Sequence, residues 1–201
     1  MNNDSKGYTN NIYNCKHLIL SGGGTKGFTY IGLIKLIHEY GIYNQLETII
    51  GFSVGSIFSL AILLGLTYNE SIDIITEDNF FQGLVAVDTN GVLNFSNNKG
   101  LTNGDNIKKF VKKIIYLKTG KENITFLESY EKFNKIIAIC VTNITNKNTE
   151  LLSYKNSPNL DIADAIVMSC SMPLVFIPIK YNGCIYIDGD MSTDCKNNPN
   201  V

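Results

Sequence analysis

The run Gly51-Phe52-Ser53-Val54-Gly55 sets a serine between two glycines in a G-x-S-x-G pattern. A short apolar run, Thr48 to Ile50, precedes it, and a longer one, Ser56 to Leu66, follows. A serine at a strand-to-helix turn is held in a sharp elbow with its hydroxyl exposed, and flanking glycines leave room for an acyl group. The helix start adds an unpaired N–H at Val54 and a positive dipole end, both suited to a developing oxyanion. The chemistry this predicts is nucleophilic attack on an acyl carbon. A simpler arrangement fits the same residues: a glycine turn in which Ser53 caps the helix.

A second glycine run, Gly22-Gly23-Gly24-Thr25-Lys26-Gly27, follows the apolar stretch His17 to Leu20. It satisfies G-x-G-x-x-G, the dinucleotide fingerprint, and Glu47 lies at about the distance of the ribose-binding acid. That acid, however, belongs at the end of the second strand. Glu47 precedes the second strand, whose end is occupied by the serine elbow. The other reading is an oxyanion hole, in which bare backbone N–H groups at a helix start receive a tetrahedral intermediate. On that reading side chains at Gly23 or Gly24 should be harmful. A plain tight turn is the third possibility, and the lysine lacks the context of a Walker loop.

The placement of the general base decides the mechanism. The chain has two histidines, His17 and His38, and both precede Ser53. A Ser-acid-His order is therefore impossible, and both fit structural or surface positions. Asp188 is the best carboxylate. It closes the apolar run Cys184 to Ile187 and is followed by Gly189, so it should stand at a strand end, where an α/β sheet presents functional groups. An Asp-Gly turn would look the same. At a reference pKa near 3.9 an aspartate is a weak base, so burial would have to raise it.

The elements that must position these residues follow from periodicity. Apolar stretch, glycine turn, helix, apolar stretch, glycine turn, helix is an α/β pattern. Helices are predicted over 25–40, 56–66, 105–118 and 161–169. Strands are predicted over 17–20, 48–50, 135–141, 151–154, 175–179 and 184–187, with Tyr181-Asn182-Gly183 as a turn. Residues 79–106, rich in Asn and Gly, are expected to form loop or short hairpin. Lys108, Lys109, Lys112 and Lys113 share one helix face, either solvated or turned toward anionic lipid.

Composition narrows the class. The chain has 201 residues, 44% hydrophobic and 17% charged, which suits one globular domain. A net charge of −1 argues against nucleic-acid binding through a dense positive field. No apolar run reaches the roughly 18 residues of a membrane span, and the polar N-terminus lacks a signal peptide's apolar core. A cytoplasmic protein, touching membranes at most peripherally, is expected. Its five cysteines, Cys15, Cys140, Cys170, Cys184 and Cys195, form no C-x-x-C and are expected to be free thiols. A disordered tail over 1–14 and a single domain over 15–201 are expected.

The order Gly-Gly-Gly-x-Lys-Gly, Gly-x-Ser-x-Gly, Asp-Gly resembles the patatin-like phospholipase family. The segment Ala165 to Pro178, AIVMSCSMPLVFIP, is also similar, and the resemblance covers about Cys15 to Asp190. It implies a three-layer α/β/α sandwich with a mostly parallel sheet. It implies a Ser–Asp dyad, with Ser53 as nucleophile and Asp188 as base. The oxyanion hole would be Gly22, Gly23, Gly24, Lys26, Gly27 and Val54, and the elbow would be framed by Gly51 and Gly55. The implied activity is hydrolysis of an acyl ester in a phospholipid, lysophospholipid or neutral lipid, without cofactor or metal. Two departures stand out. Asp190 follows Gly189 where the family places Gly or Ala, and the chain ends at Val201, sooner after the dyad aspartate than family members do. A lipid-binding protein that has lost catalysis is the alternative, and a dinucleotide-binding oxidoreductase a distant one.

Overall fold

A computed structural model of the chain describes residues 14–77, 92 and 95–191. The expected tail, Cys195 and most of the Asn- and Gly-rich stretch after residue 78 lie outside the described residues. Six strands form one sheet: β1 (His17–Leu20), β2 (Thr48–Phe52), β3 (Ile136–Asn143), β4 (Asn148–Leu152), β5 (Ile179–Tyr181) and β6 (Cys184–Asp188). The described helices are α1 (Thr29–Glu39), α2 (Val54–Leu63), α3 (Tyr68–Glu77), α4 (Phe95–Asn98), α5 (Asp105–Thr119), α6 (Phe126–Phe133) and α7 (Ile162–Ser169).

The α/β class is as expected, but the sheet is mixed rather than mostly parallel. The β1–β2 and β2–β3 pairs are parallel. The β3–β4, β3–β6 and β5–β6 pairs are antiparallel. Short connections force this for β3–β4 and β5–β6, since only a long crossover can return a strand parallel to its predecessor. Asn182 (φ 47°) and Gly183 (φ 77°) are both left-handed, the backbone of a two-residue turn whose twist matches its strands.

The arrangement along β3 matters most. One edge of β3 pairs with β4 over Ile139–Asn143. The other edge is shared: β2 pairs with Ile136–Cys140 and β6 with Val141–Asn143. Phe52 is thus opposite Cys140 and Asp188 opposite Val141. The two strands run toward each other along one edge and stop at neighbouring residues of β3.

The core is built around α2. All ten of its residues are buried, as an all-round apolar helix requires. It lies against the sheet face carrying Leu20, Ile49 and Ile139, each at most 1% exposed. The opposite face is covered less fully at the β1 edge, where Ile19 is 57% exposed. Helix α5 buries Ile107, Phe110, Val111, Ile114 and Ile115, the face that its spacing predicts. Helix α6 starts at a capping box of Thr125 and Glu128, and α7 at an Asp161 side chain that accepts from the Ala163 N–H.

Several expected boundaries move. Residues 24–28 form a 3-10 turn before α1, because the glycines delay the regular helix. Residues 95–98 are helical rather than loop. The last strand of the β3–β4 hairpin begins at Asn148, not Leu151. Val175 to Pro178 is not a strand: Phe176 makes one isolated bridge to Thr102, and β5 starts at Ile179. Pro173 precedes that segment and Pro178 ends it, and neither can donate to a ladder.

Gly55 shows how tightly α2 is seated. A Cβ there would lie 2.3 Å from the Leu20 carbonyl oxygen, a backbone atom that cannot rotate away. Gly55→Ala is expected to destabilise the fold by about 3 kcal/mol, the upper end for overpacking. The shift of the urea unfolding midpoint against the unsubstituted chain measures this.

Candidate active site

Strand β2 ends at Phe52 and α2 begins at Val54, leaving Ser53 alone to turn the chain. It does so with φ 48° and ψ −128°, a backbone that a residue with a Cβ rarely adopts. Such strain costs roughly 1–3 kcal/mol and persists only where the surroundings enforce it. Close packing enforces it here. A Cβ on Gly51 would stand 2.4 Å from the Ser56 Cα, so the elbow closes only with glycine at 51. Ser53 supplies no side-chain cap to α2, which removes the capping explanation of the motif.

The Ser53 hydroxyl instead donates to Asp188 Oδ2 at 2.7 Å, across 135 residues of sequence. The second carboxylate oxygen, Oδ1, accepts from the Asp190 N–H at 2.9 Å. Asp188 is 4% exposed. Burial pushes its carboxyl above the usual carboxylate range, the Ser53 hydroxyl and Asp190 N–H pull it back, and the Asp190 charge adds a smaller upward push. Repulsion from Asp190 is therefore present but secondary to burial.

Neither histidine comes to this site. His38 Nε2 bonds the Leu66 carbonyl oxygen at 2.9 Å and its ring stacks on Tyr43. His17 is exposed at the start of β1, the opposite end of the strand from the glycine turn. Glu47 is exposed and paired with Lys16 at 2.6 Å before β2 begins, so it cannot serve a nucleotide at the strand ends.

A cavity of about 230 Å³ opens over Ser53 and Asp188. Its walls include Gly24, Thr25, Val54, Ile57, Ile107, Cys170, Met172 and Phe176, a mostly apolar set. Burial, with a smaller push from the Asp188 charge, holds the Cys170 thiol well above its ordinary range.

The glycine run divides into parts. Gly24 and Thr25 front the cavity. Gly22 is wedged between two side chains: a Cβ there would lie 2.8 Å from the Ser53 Cβ and 2.0 Å from an Asp190 carboxylate oxygen. Gly27 lies beneath, where a Cβ would strike Val54 Cγ2 at 2.6 Å. The Lys26 N–H donates to the Gly23 carbonyl oxygen at 3.1 Å, and Lys26 is not among the cavity walls. Among the lysines of α5, Lys108 is ion-paired with Asp164 of α7.

Sequence reasoning missed Ser169. Its buried hydroxyl accepts from the Ser53 N–H at 2.9 Å and donates to the Cys140 carbonyl oxygen at 2.7 Å. The signal was a hydroxyl residue inside the apolar run of α7.

The patatin-like phospholipase model matches residues 18–194. The chain belongs to that family. A "Probable lipid hydrolase" of Invertebrate iridescent virus 6 is 33% identical over 87% of this chain, and a triacylglycerol lipase of Schizosaccharomyces pombe is 29% identical over 79% of it. The chain spans 59% of the viral protein and 33% of the yeast one. Among solved structures, VipD from Legionella pneumophila shares the fold, with TM-score 0.58, 18% identity, and 89% of this chain and 46% of that one covered. Among the described residues, no helix is long and apolar enough to cross a membrane.

The geometry ranks the patatin-like glycine run differently from its motif. Gly22→Ala is expected to slow labelling of Ser53 by a serine-reactive fluorophosphonate by about 10²-fold, because its Cβ would push the Ser53 Cβ out of place. Gly24 has φ 55° and open space around its Cβ position, so Gly24→Ala is expected to cost about 1 kcal/mol in backbone strain and at most tenfold in rate. At Gly23 only Lys26 Cβ is near the Cβ position, at 3.5 Å, and Gly23→Ala is expected to stay within a few fold.

Proposed function

We propose that this chain is a lipid acyl hydrolase that works through an acyl-serine intermediate. The observation that carries the reading is the 2.7 Å bond from the strained Ser53 elbow to the buried Asp188 carboxylate. Family membership and relatives named as lipases support it. The apolar cavity suits a fatty-acyl chain, and a phospholipid, lysophospholipid or neutral lipid would supply the ester.

In the proposed cycle, Ser53 Oγ attacks the ester carbonyl carbon while Asp188 Oδ2 takes its proton. The carbonyl oxygen becomes an oxyanion facing N–H groups at the starts of two helical turns, Gly24–Thr25 and Val54, which lack intrahelical acceptors. Collapse breaks the ester C–O bond, and Asp188 returns the proton to the leaving alkoxide. A water then attacks the acyl-serine, again losing its proton to Asp188; the acyl C–Oγ bond breaks, Asp188 returns that proton to Ser53 Oγ, and the fatty acid leaves. Desolvation serves this chemistry, because a carboxylate raised above its reference value is a better base. The same burial keeps water from competing for the hydrogen bond.

Fluorophosphonate labelling and hydrolysis of a soluble acyl ester test the assignment. Ser53→Ala is expected to abolish both. Asp188→Asn is expected to lower hydrolysis at least 10²-fold, because an amide whose oxygen accepts from the Asp190 N–H presents its NH₂ to Ser53 and takes no proton. His17→Gln and His38→Gln are expected to remain within a few fold. Labelling that survives Ser53→Ala, or full activity in Asp188→Asn, overturns the reading.

The pH dependence follows from the direction of the Asp188 shift. Activity needs the ionised form, so the acid limb of kcat/KM is expected above pH 3.8, the reference value, and to vanish in Asp188→Asn. The stability sign is opposite. A carboxyl whose folded pKa is raised binds more protons folded than unfolded, so its contribution is full below the unfolded pKa and lost as pH rises through the folded one. Asp188→Asn is therefore expected to melt higher than the unsubstituted chain at pH 7, with the gap closing near pH 3. Paired melting curves at the two pH values read this directly.

A further inference from the structure

We propose that Ser169 is the positioning residue that holds the nucleophile elbow at its working distance from Asp188. The consequence for catalysis rests on the hydrolase reading above; the hydrogen bonding does not. Parallel pairing of β2 with β3 ends where Phe52 meets Cys140, and the next β3 residue, Val141, is opposite Asp188. Ser53 thus leaves the ladder just where a strand arriving from the other direction takes its place. Its N–H loses a ladder partner in the buried interior, where an unpaired donor is costly.

The Ser169 hydroxyl fills that gap. It is 0% exposed, at the last residue of α7. It accepts from the Ser53 N–H at 2.9 Å and donates to the Cys140 carbonyl oxygen at 2.7 Å. The polarity of this relay has one solution. An amide N–H can only donate and a carbonyl only accept, so the hydroxyl must do both, which no apolar side chain of similar size can. Ser53 is thereby tied to Cys140, the neighbour of the β3 residue that pairs with Asp188.

The same stretch of chain holds the other partner. The Asp188 N–H donates to the Ser171 carbonyl oxygen at 3.0 Å. Residues 169–171 therefore grip the backbone of Ser53 at one end and of Asp188 at the other, with Cys170 in the cavity wall between them. Because the Ser53 backbone is strained, it relaxes when a restraint is removed. The distance to Asp188 then opens, although no atom of Ser169 touches the substrate.

Amide hydrogen exchange resolved at Ser53 tests the relay without any activity. In Ser169→Ala the Ser53 amide is expected to exchange at least tenfold faster, while Ile139 in β3 stays protected and reports an intact core. Ser169→Thr, which keeps the hydroxyl, is expected to restore protection. Should Ser169→Ala not fold, Ser169→Cys carries the same test, since a thiol is a poor donor and acceptor. For hydrolysis of a soluble acyl ester, Ser169→Ala is expected to lower kcat ten- to a hundredfold with KM within threefold. Unchanged Ser53 exchange in the Ala or Cys variant, or faster exchange with unchanged kcat, overturns the positioning role. A chain with no hydrolysis that Ser53→Ala removes overturns the hydrolase reading instead, and the exchange result still decides whether Ser169 holds the elbow.

Discussion

One edge of β3 is shared end to end by two strands, and the rest of the site depends on it. β2 arrives from below and stops opposite Cys140; β6 arrives from above and stops opposite Val141. Two strand ends that meet head-on must both leave the sheet at once, and each leaves through a turn next to glycine. The residues at those turns, Ser53 and Asp188, are brought within hydrogen-bond distance by the rise of a single β3 residue. No loop has to be placed by its own flexibility. The precision comes from ladder hydrogen bonds, which are among the stiffest constraints a fold offers.

This junction is costly by itself. Ser53 holds an unfavourable backbone and Asp188 holds a carboxylate away from water. Functional sites commonly carry such local losses of stability. The offset lies in the surrounding core. Helix α2 is buried on every side and is drawn so close to β1 and β2 that Gly51 and Gly55 admit no side chain. Gly22 completes the enclosure, caught between Ser53 and the Asp190 carboxylate. The cavity thus borders closely packed core, and its apolar walls, Val54, Ile57, Ile107 and Phe176 among them, belong to that core.

Local signals were legible wherever one stretch of backbone decides the outcome. The serine elbow, the Asn182-Gly183 turn and the apolar face of α5 all appear where spacing and residue type put them. Val175 to Pro178 has the apolar composition of a strand yet forms only a single bridge, because its prolines deny the ladder and Thr102 competes for the segment. Lys26 belongs to the motif by sequence but spends its N–H inside the turn. Glu47 has the spacing of a ribose ligand and sits at the wrong end of its strand. Spacing counts residues; it does not say which end of a strand faces the cavity.

By itself the sequence determined the chemical types: a serine between glycines, an aspartate closing an apolar run, and two histidines that both precede the serine. Those are properties of nearest neighbours, where backbone geometry and side-chain chemistry act over a few residues. Only the tertiary structure decided that Ser53 meets Asp188 and that Gly22, rather than Gly23, is the crowded glycine. It alone revealed that Ser169 takes up the N–H left over where two strands abut. The physical reason is the same in each case. These contacts arise from the register of β2 and β6 on β3, and register is set by the packing of whole elements, which no local run of residues contains.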